Sequence, residues 1–449
     1  MSNLKRISNK SFYLFSVVAY LTLIINKSSE ILTKGRFFAE EGAVYWSYSL
    51  YNNIIDVILY DPVGDGYYCL TCNFQILLTK LLPIQYSPLA TVWSSILFAI
   101  LPSYLFYRFA ANHYEKKIYF SIIWLLLFLP SLNFLEVFAN SINTQSYLAV
   151  SIFIILLFSN GRELIRSQYL IIFLGFMSSY YSLAILPAFI FKYYRERKSW
   201  LLRVIFIGIT SSAIQLNVFF YTLLQESLYS GRLQQKINLG YLVEIFSHSI
   251  SINFATERFY RLDSISNLIL LIYLSMLLFL IIRKSFFTNL NFVLILLTYF
   301  CQIVLVYFGN PTQVFYGRYA VVSSTVIFFI YIEFIKDSKK LQNTIFVIIL
   351  ISLLNFRYQG GDYFIDCNEY CTSWPEQVEL VKNNSLDKYI HWPIGEGEPY
   401  WFTDAISPKP NPAPFQKENI GLSYMDNYEI SLIDILKINL GSLFNKDMN

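Results

Sequence analysis

Ser11-Phe12-Tyr13-Leu14-Phe15-Ser16-Val17-Val18-Ala19-Tyr20-Leu21-Thr22-Leu23-Ile24-Ile25-Asn26 carries no charged side chain and follows directly on a segment with Lys5, Arg6 and Lys10. Further apolar stretches recur at 89–107, 118–134, 146–158, 169–178, 181–191, 201–224, 266–282, 290–308, 319–335 and 343–355, several near the ~20 residues that cross a bilayer. The composition agrees: 449 residues are 55% hydrophobic and only 14% charged, with a mean hydropathy of +0.45. That is too apolar and too poor in charge for a soluble protein of this length. The expected fold is an all-α polytopic membrane protein with about eleven transmembrane helices. The first is expected to stay as an anchor, because Asn26-Lys27-Ser28-Ser29-Glu30 offers no small-residue cleavage site.

The stretches 169–178 and 181–191 are too short for two crossings. The polar run Ser178-Ser179-Tyr180-Tyr181-Ser182 between them predicts the tip of a helical hairpin that reaches part way, which survives at depth only when protein or a wet cavity covers it. Orientation follows from Lys and Arg. The N-terminal tail and the loops 108–117, 159–168, 192–203, 283–289 and 336–342 hold 18 of the 34 basic residues, which places them and the N-terminus in the cytoplasm and the C-terminus outside.

Three outer segments are then long enough to act: 27–88, 225–265 and 356–449. The chain divides into a membrane domain, 1–355, and a small, loop-rich outer domain, 356–449. The tail carries 14 of the 30 acidic residues against seven basic ones. The net charge of +4 therefore hides a basic inner face and an acidic outer domain, a pattern that argues against nucleic acid as a partner. Of five cysteines, Cys69 and Cys72 lie in the first outer loop, Cys367 and Cys371 open the tail, and Cys301 lies within an apolar stretch. The four outer thiols suit two local disulfides or a tie from loop to tail, with zinc as the alternative; sequence does not choose among the pairings.

Chemistry concentrates at Arg36-Phe37-Phe38-Ala39-Glu40-Glu41-Gly42-Ala43-Val44-Tyr45-Trp46, two adjacent carboxylates just beyond the first apolar stretch. On a helix they diverge by about 100°, so they do not share a proton as a dyad does; one can face a pocket while the other meets water. A solvated helix start is the plain reading, since acids favour N-terminal turns. Against it stands the aromatic, amphipathic run from Val44 to Ile58, suited to an interfacial helix beside lipid head groups. Asp61 and Asp65 flank a Pro/Gly turn, where turn chemistry outweighs cation binding because further ligands are missing. A second interfacial helix from Cys69 to Pro83 carries Lys80. The outer loop 136–145 packs Glu136, Asn140, Asn143 and Gln145 together; such amides are interhelical glue or ligands for hydroxyl-rich molecules. The loop 309–319 ends with Arg318 at the mouth of a span, where an Arg either snorkels or grips a phosphate.

In their order along the chain these pieces resemble a bacterial family of multispan glycosyltransferases of the GT-C type, which includes O-antigen-modifying glucosyltransferases. The resemblance rests on Phe38-Ala39-Glu40-Glu41-Gly42, Gly66-Tyr67 with the helix that follows, the run from Glu136 to Gln145, Leu186-Pro187, Gly317-Arg318-Tyr319 and Trp374-Pro375-Glu376-Gln377. Glu41 stands where the family usually has Asp, and Lys80 near where it has Arg. The resemblance implies a GT-C-like domain over 1–355 in the bacterial inner membrane that takes a hexose, expected to be glucose, from a polyprenyl-phosphate carrier. The acceptor is a cell-surface glycan, as in lipopolysaccharide O-antigen modification, or a lipid-linked molecule on the periplasmic face. It implies one inverting displacement with Glu41 as general base and Glu40 in reserve, and Arg318 and Lys80 on the leaving phosphate. Tyr319, Asn140, Asn143, Gln145 and Asp65 complete the implied substrate site. No cofactor is required, although some relatives use a divalent cation. Other implied partners are membrane lipids, a flippase and a carrier-loading glycosyltransferase. An O-antigen polymerase or a lipid-linked saccharide flippase is the alternative. The polymerase is kept open by Arg232, Lys236, Arg258 and Arg261; the flippase is disfavoured by nearly charge-free spans without a repeat.

Overall fold

A computed structural model of the chain describes residues 8–38, 40–62, 67–133, 138–159, 164–229, 240–241, 245, 289–309, 321–335, 373–383, 388–391 and 401–404. The expected spans 266–282 and 343–355 and most of the loop 225–265 lie outside them. The order begins with α1 (Asn9–Lys34), a π-helix (Glu41–Trp46), α2 (Ser47–Tyr51), α3 (Ile54–Ile58) and α4 (Leu70–Thr79). It continues with α5 (Ser87–Phe109), α6 (Lys116–Asn133), α7 (Thr144–Phe158), α8 (Arg166–Phe176), α9 (Tyr180–Leu183), α10 (Leu186–Glu196) and α11 (Ser199–Tyr229). Then come α12 (Leu290–Gly309), α13 (Val321–Ile335) and, in the tail, α14 (Trp374–Lys382) with the antiparallel strands β1 (Lys388–His391) and β2 (Trp401–Asp404).

Three stretches among the described residues are long and apolar enough to cross a membrane: Ile84–Phe109, Ser199–Tyr221 and Leu290–Tyr307. The count rises to five if each of two bent pairs, α1 and α8 to α10, is one span. The expectation of about eleven crossings thus stands in the coarser form of a helical chain with several apolar helices of membrane-spanning length.

Local chemistry sets the ends of these helices. The Ser8 hydroxyl accepts the Ser11 N–H at 3.0 Å, filling one of the donors that a helix start leaves open. α1 bends by 93° between Asn9–Asn26 and Ser28–Lys34, so its apolar arm stops where the polar run after Asn26 begins. Gly35 then leaves the helix with φ +77°, and a Cβ on it would lie 3.0 Å from the Leu89 nitrogen. Only glycine combines that backbone with so close an approach to α5.

α7 is the axis of the bundle, packed by α5, α8, α9 and α13. All of its residues are buried, and a helix covered on every side needs no polar stripe, which explains the apolar run after its first turn, broken only by Ser151, whose hydroxyl donates to the Tyr147 carbonyl. Its 15 residues rise only about 22 Å, less than the ~30 Å of a hydrocarbon core. The polar turn before it, 140–143, is accordingly held inside the protein, where irregular backbone is covered. Side-chain hydrogen bonds lock the bundle from within. Trp124 Nε1 of α6 donates to Ser16 Oγ of α1 at 2.7 Å, and Gln302 Nε2 of α12 donates to the Tyr181 carbonyl at 2.5 Å.

α8 and the α9–α10 arm are bent by 115° at a break in 177–179, beside the polar run expected to form a hairpin tip. The loop between α1 and α5 is also helical, but its expected interfacial run divides in two. Every residue from Glu41 to Trp46 is buried, whereas Leu50, Tyr51, Ile54 and Ile55 form an exposed apolar edge joined by Phe74 and Leu81 of the second helix. The loop is fixed from both sides. Gln215 of α11 meets Tyr68 as a backbone would, its Oε1 accepting the Tyr68 N–H at 3.0 Å and its Nε2 donating to the Tyr68 carbonyl at 2.8 Å.

Candidate functional site

Glu41 opens the π-helix, whose wider turn lets the Ser47 N–H reach the Gly42 carbonyl; such turns recur at functional sites. Its side chain is 0% exposed and bridges two segments a hundred residues apart. Oε2 accepts the Phe38 N–H at 3.0 Å, and Oε1 accepts the Ser141 N–H at 2.8 Å in the turn before α7. Burial raises its pKa above the ordinary carboxyl range, opposed by hydrogen bonds from Ser141, Phe38 and Thr91. Glu40, the preceding residue, is half-buried and makes no hydrogen bond or ion pair among the described residues. The two carboxylates therefore diverge, with Glu41 inward and Glu40 nearer the surface.

A polar ladder leads away from Glu41. Thr144 Oγ1 donates to the Ser141 carbonyl at 2.6 Å and accepts from Gln75 Nε2 at 2.9 Å. Gln75 Oε1 accepts from Ser94 at 2.7 Å and from Ser95 at 3.0 Å. These bonds join α4, α5 and α7, so the carboxylate sits at the head of a hydrogen-bonded network, while the buried Ser141 hydroxyl beside it has no partner among the described residues. The turn beside it holds Ala139 at φ 52°, a left-handed backbone rare for a residue with a side chain.

Asn140 and Asn143 belong to this turn and are buried. Asn140 Oδ1 accepts the Asn143 N–H at 3.0 Å and its Nδ2 donates to the Phe138 carbonyl at 3.3 Å, so Asn140 shapes the loop that carries Ser141. Gln145 Nε2 donates to the Tyr67 hydroxyl at 3.2 Å, and the Tyr67 ring lies edge-on to Tyr180 at 5.9 Å. Lys80 turns elsewhere: its ammonium donates to the Asn52 carbonyl at 2.6 Å, closing α2 against the end of α4, and partial burial lowers its pKa. Asp65, Glu136, Arg318, Tyr319, Cys367 and Cys371 lie outside the described residues. Cys69 and Cys72 form a disulfide at the start of α4, which in this structure leaves neither to tie the loop to the tail. No group of three or more His, Cys, Asp or Glu side chains among the described residues is placed to hold a metal ion.

Three residues gain importance that sequence reading did not assign them. Arg36 is buried with its guanidinium 5.3 Å from the centre of the Phe38 ring, inside the same segment as Glu41. Its position in an otherwise apolar Arg-Phe-Phe run is the signal. Gln75 carries the ladder, one of two amides in α4; the other, Asn73, donates to the Ile58 and Tyr60 carbonyls at 3.0 and 2.8 Å. Trp374 comes from the tail and stands edge-on to Phe37 at 5.0 Å and to Trp46 at 5.1 Å, while its Nε1 donates to the Ile84 carbonyl at 2.8 Å. With Val378 it completes an apolar cluster over the π-helix, and β2 packs against the same helix. The described parts of the tail thus cover the segment that carries Glu41. Compared with family models, curated proteins and solved structures, the chain finds no match.

Proposed function

We propose that this chain is a GT-C-type membrane glycosyltransferase with about eleven crossings, its N-terminus cytoplasmic and its C-terminus periplasmic. It moves a hexose, glucose in this reading, from a polyprenyl-phosphate carrier to a cell-surface glycan or lipid-linked acceptor on the periplasmic face of a bacterial inner membrane. The observation that carries the proposal is the Glu41 carboxylate, buried between two backbone N–H donors with a raised pKa, against a polar turn at the head of an apolar bundle. An ordinary carboxylate is a weak base at neutral pH, and burial moves it toward the working range of a general base.

In this scheme the acceptor hydroxyl oxygen attacks the anomeric carbon, its proton passes to Glu41, and the bond from that carbon to the phosphate oxygen breaks. The phosphate leaves with the lipid, its charge met by Arg318 and Lys80. The π-helix is the moving part. A slip of its register by one residue rotates a side chain by about 100° and brings Glu41 from its backbone donors to the substrate side, with Glu40 as the reserve base. Tyr319, Asn140, Asn143, Gln145 and Asp65 hold sugar and acceptor. Lysine on the carbonyl of Asn52 supports a positioning role in the loop as well, because releasing it to a phosphate also frees the end of α2.

The test is transfer of labelled glucose from synthetic polyprenyl-phosphate glucose by purified full-length protein with membrane acceptor. Glu41→Gln is expected to lower turnover by a thousandfold or more and Glu40→Gln by less than tenfold. Full activity of Glu41→Gln removes Glu41 from the mechanism. Loss in Glu40→Gln alone reassigns the base to Glu40.

A further inference from the structure

At the opposite end of the bundle from the Glu41 turn, the first turns of α8 and α11 line a shallow, open cavity of about 650 Å³. Its lining combines Arg166 and Tyr169 of α8 with Leu202, Arg203, Phe206 and Ile207 of α11. The two helices run side by side in the same direction. Both begin at this cavity, and a Cβ on Gly208, in the third turn of α11, would lie 3.3 Å from the Phe176 ring at the far end of α8. Two helix N-termini, each with a partial positive charge, therefore open on one space.

Neither Arg166 nor Arg203 forms an ion pair or hydrogen bond among the described residues, and both are exposed. The Tyr169 hydroxyl is shielded from solvent and has no hydrogen-bond partner among the described residues, a deficit that costs stability unless something supplies one. Beyond these polar groups the wall is apolar, with Leu202 53% and Phe206 72% exposed. Two cations close by are engaged: Lys198 pairs with Glu196 at 2.9 Å, and the Arg197 guanidinium lies 5.0 Å from the Tyr194 ring centre. Basic residues that only mark the cytoplasmic side need no cavity and no buried hydroxyl.

We propose that this cavity is a binding site for an anionic phospholipid of the cytoplasmic leaflet. The phosphate sits between the guanidinium groups of Arg166 and Arg203 and accepts a hydrogen bond from the Tyr169 hydroxyl, and one acyl chain lies along Leu202, Phe206 and Ile207. The volume suits a head group and the upper part of a chain. A forked guanidinium pair matches a phosphate diester, and the cytoplasmic leaflet is where anionic lipids meet basic residues. A zwitterionic lipid offers the same phosphate, but its own cation then lies against two arginines.

The test is native mass spectrometry of the full-length protein in detergent, titrated separately with phosphatidylglycerol, phosphatidylcholine and inorganic phosphate. Wild-type protein is expected to retain phosphatidylglycerol with at least tenfold preference over phosphatidylcholine. Arg166→Gln with Arg203→Gln should abolish that preference, and Ile207→Trp, which fills the apolar wall, should lower retention of both lipids. Equal retention of the two lipids by wild-type protein overturns the proposal without recourse to any variant. So does undiminished phosphatidylglycerol binding by the double variant, and so does complete displacement of the lipid by millimolar inorganic phosphate, which would reduce the cavity to a simple anion site.

Discussion

Glu41 is held in a state that favours its proton. Because burial raises its folded pKa above the unfolded value, the folded chain binds that proton more tightly than the unfolded one. Its contribution to stability is then complete below the ordinary carboxyl range and is lost as pH rises through the raised value. Thermal midpoints measured from about pH 4 to about pH 8 should fall on the alkaline side, and Glu41→Gln should flatten that slope. The same variant is not neutral to the fold. Its amide can accept from only one of the Phe38 and Ser141 N–H groups and turns an NH₂ toward the other, a mismatch of about 1–3 kcal/mol. An unchanged pH slope in the variant would mean that another group sets it. At Gly35, alanine is expected to destabilise by more than about 1 kcal/mol, because positive φ and the nearby backbone of Leu89 act together; denaturant midpoints check this.

Among the elements, the outer loop and the tail depend on each other. Trp374 is buried against Phe37 and Trp46, so Trp374→Ala should remove about 3–5 kcal/mol from this module and expose the π-helix to proteolysis before the bundle unfolds. Cleavage no faster than in wild type would show that the tail does not cover it. The Cys69–Cys72 disulfide closes a very short loop; reduction should cost at most about 2 kcal/mol on the chain-entropy estimate and leave α14 docked.

These contrasts also explain what can be read from the chain alone. The apolar stretch 146–158 is visible because α7 is covered on every side, and the polar break near Ser178 is visible because α8 and α9 must turn there. The π-helix is invisible because its register depends on Glu41 meeting Ser141, a contact set by tertiary packing. The resemblance implies a phosphate contact for Lys80, yet in the fold its ammonium donates to the Asn52 carbonyl. Glu41 and the amides of the 140–143 turn were recognisable as residue types, but that Asn140 serves its own backbone was not.

On the scale of the whole molecule, the bundle separates two polar ends. One holds Glu41, the amide turn and α14; the other holds the arginines that begin α8 and α11. In the proposed orientation the second lies in the cytoplasm, where basic residues concentrate, and the donor is presented on the first. Function in this account depends on that separation more than on any single contact, since a base on the wrong side meets no carrier-linked sugar.

The most direct measurement is a pair of reporter fusions after Asn52, one to alkaline phosphatase and one to a fluorescent protein that matures only in the cytoplasm. The account predicts active phosphatase and no fluorescence. Bright fluorescence with inactive phosphatase would put Glu41 in the cytosol, apart from the donor, and contradict it.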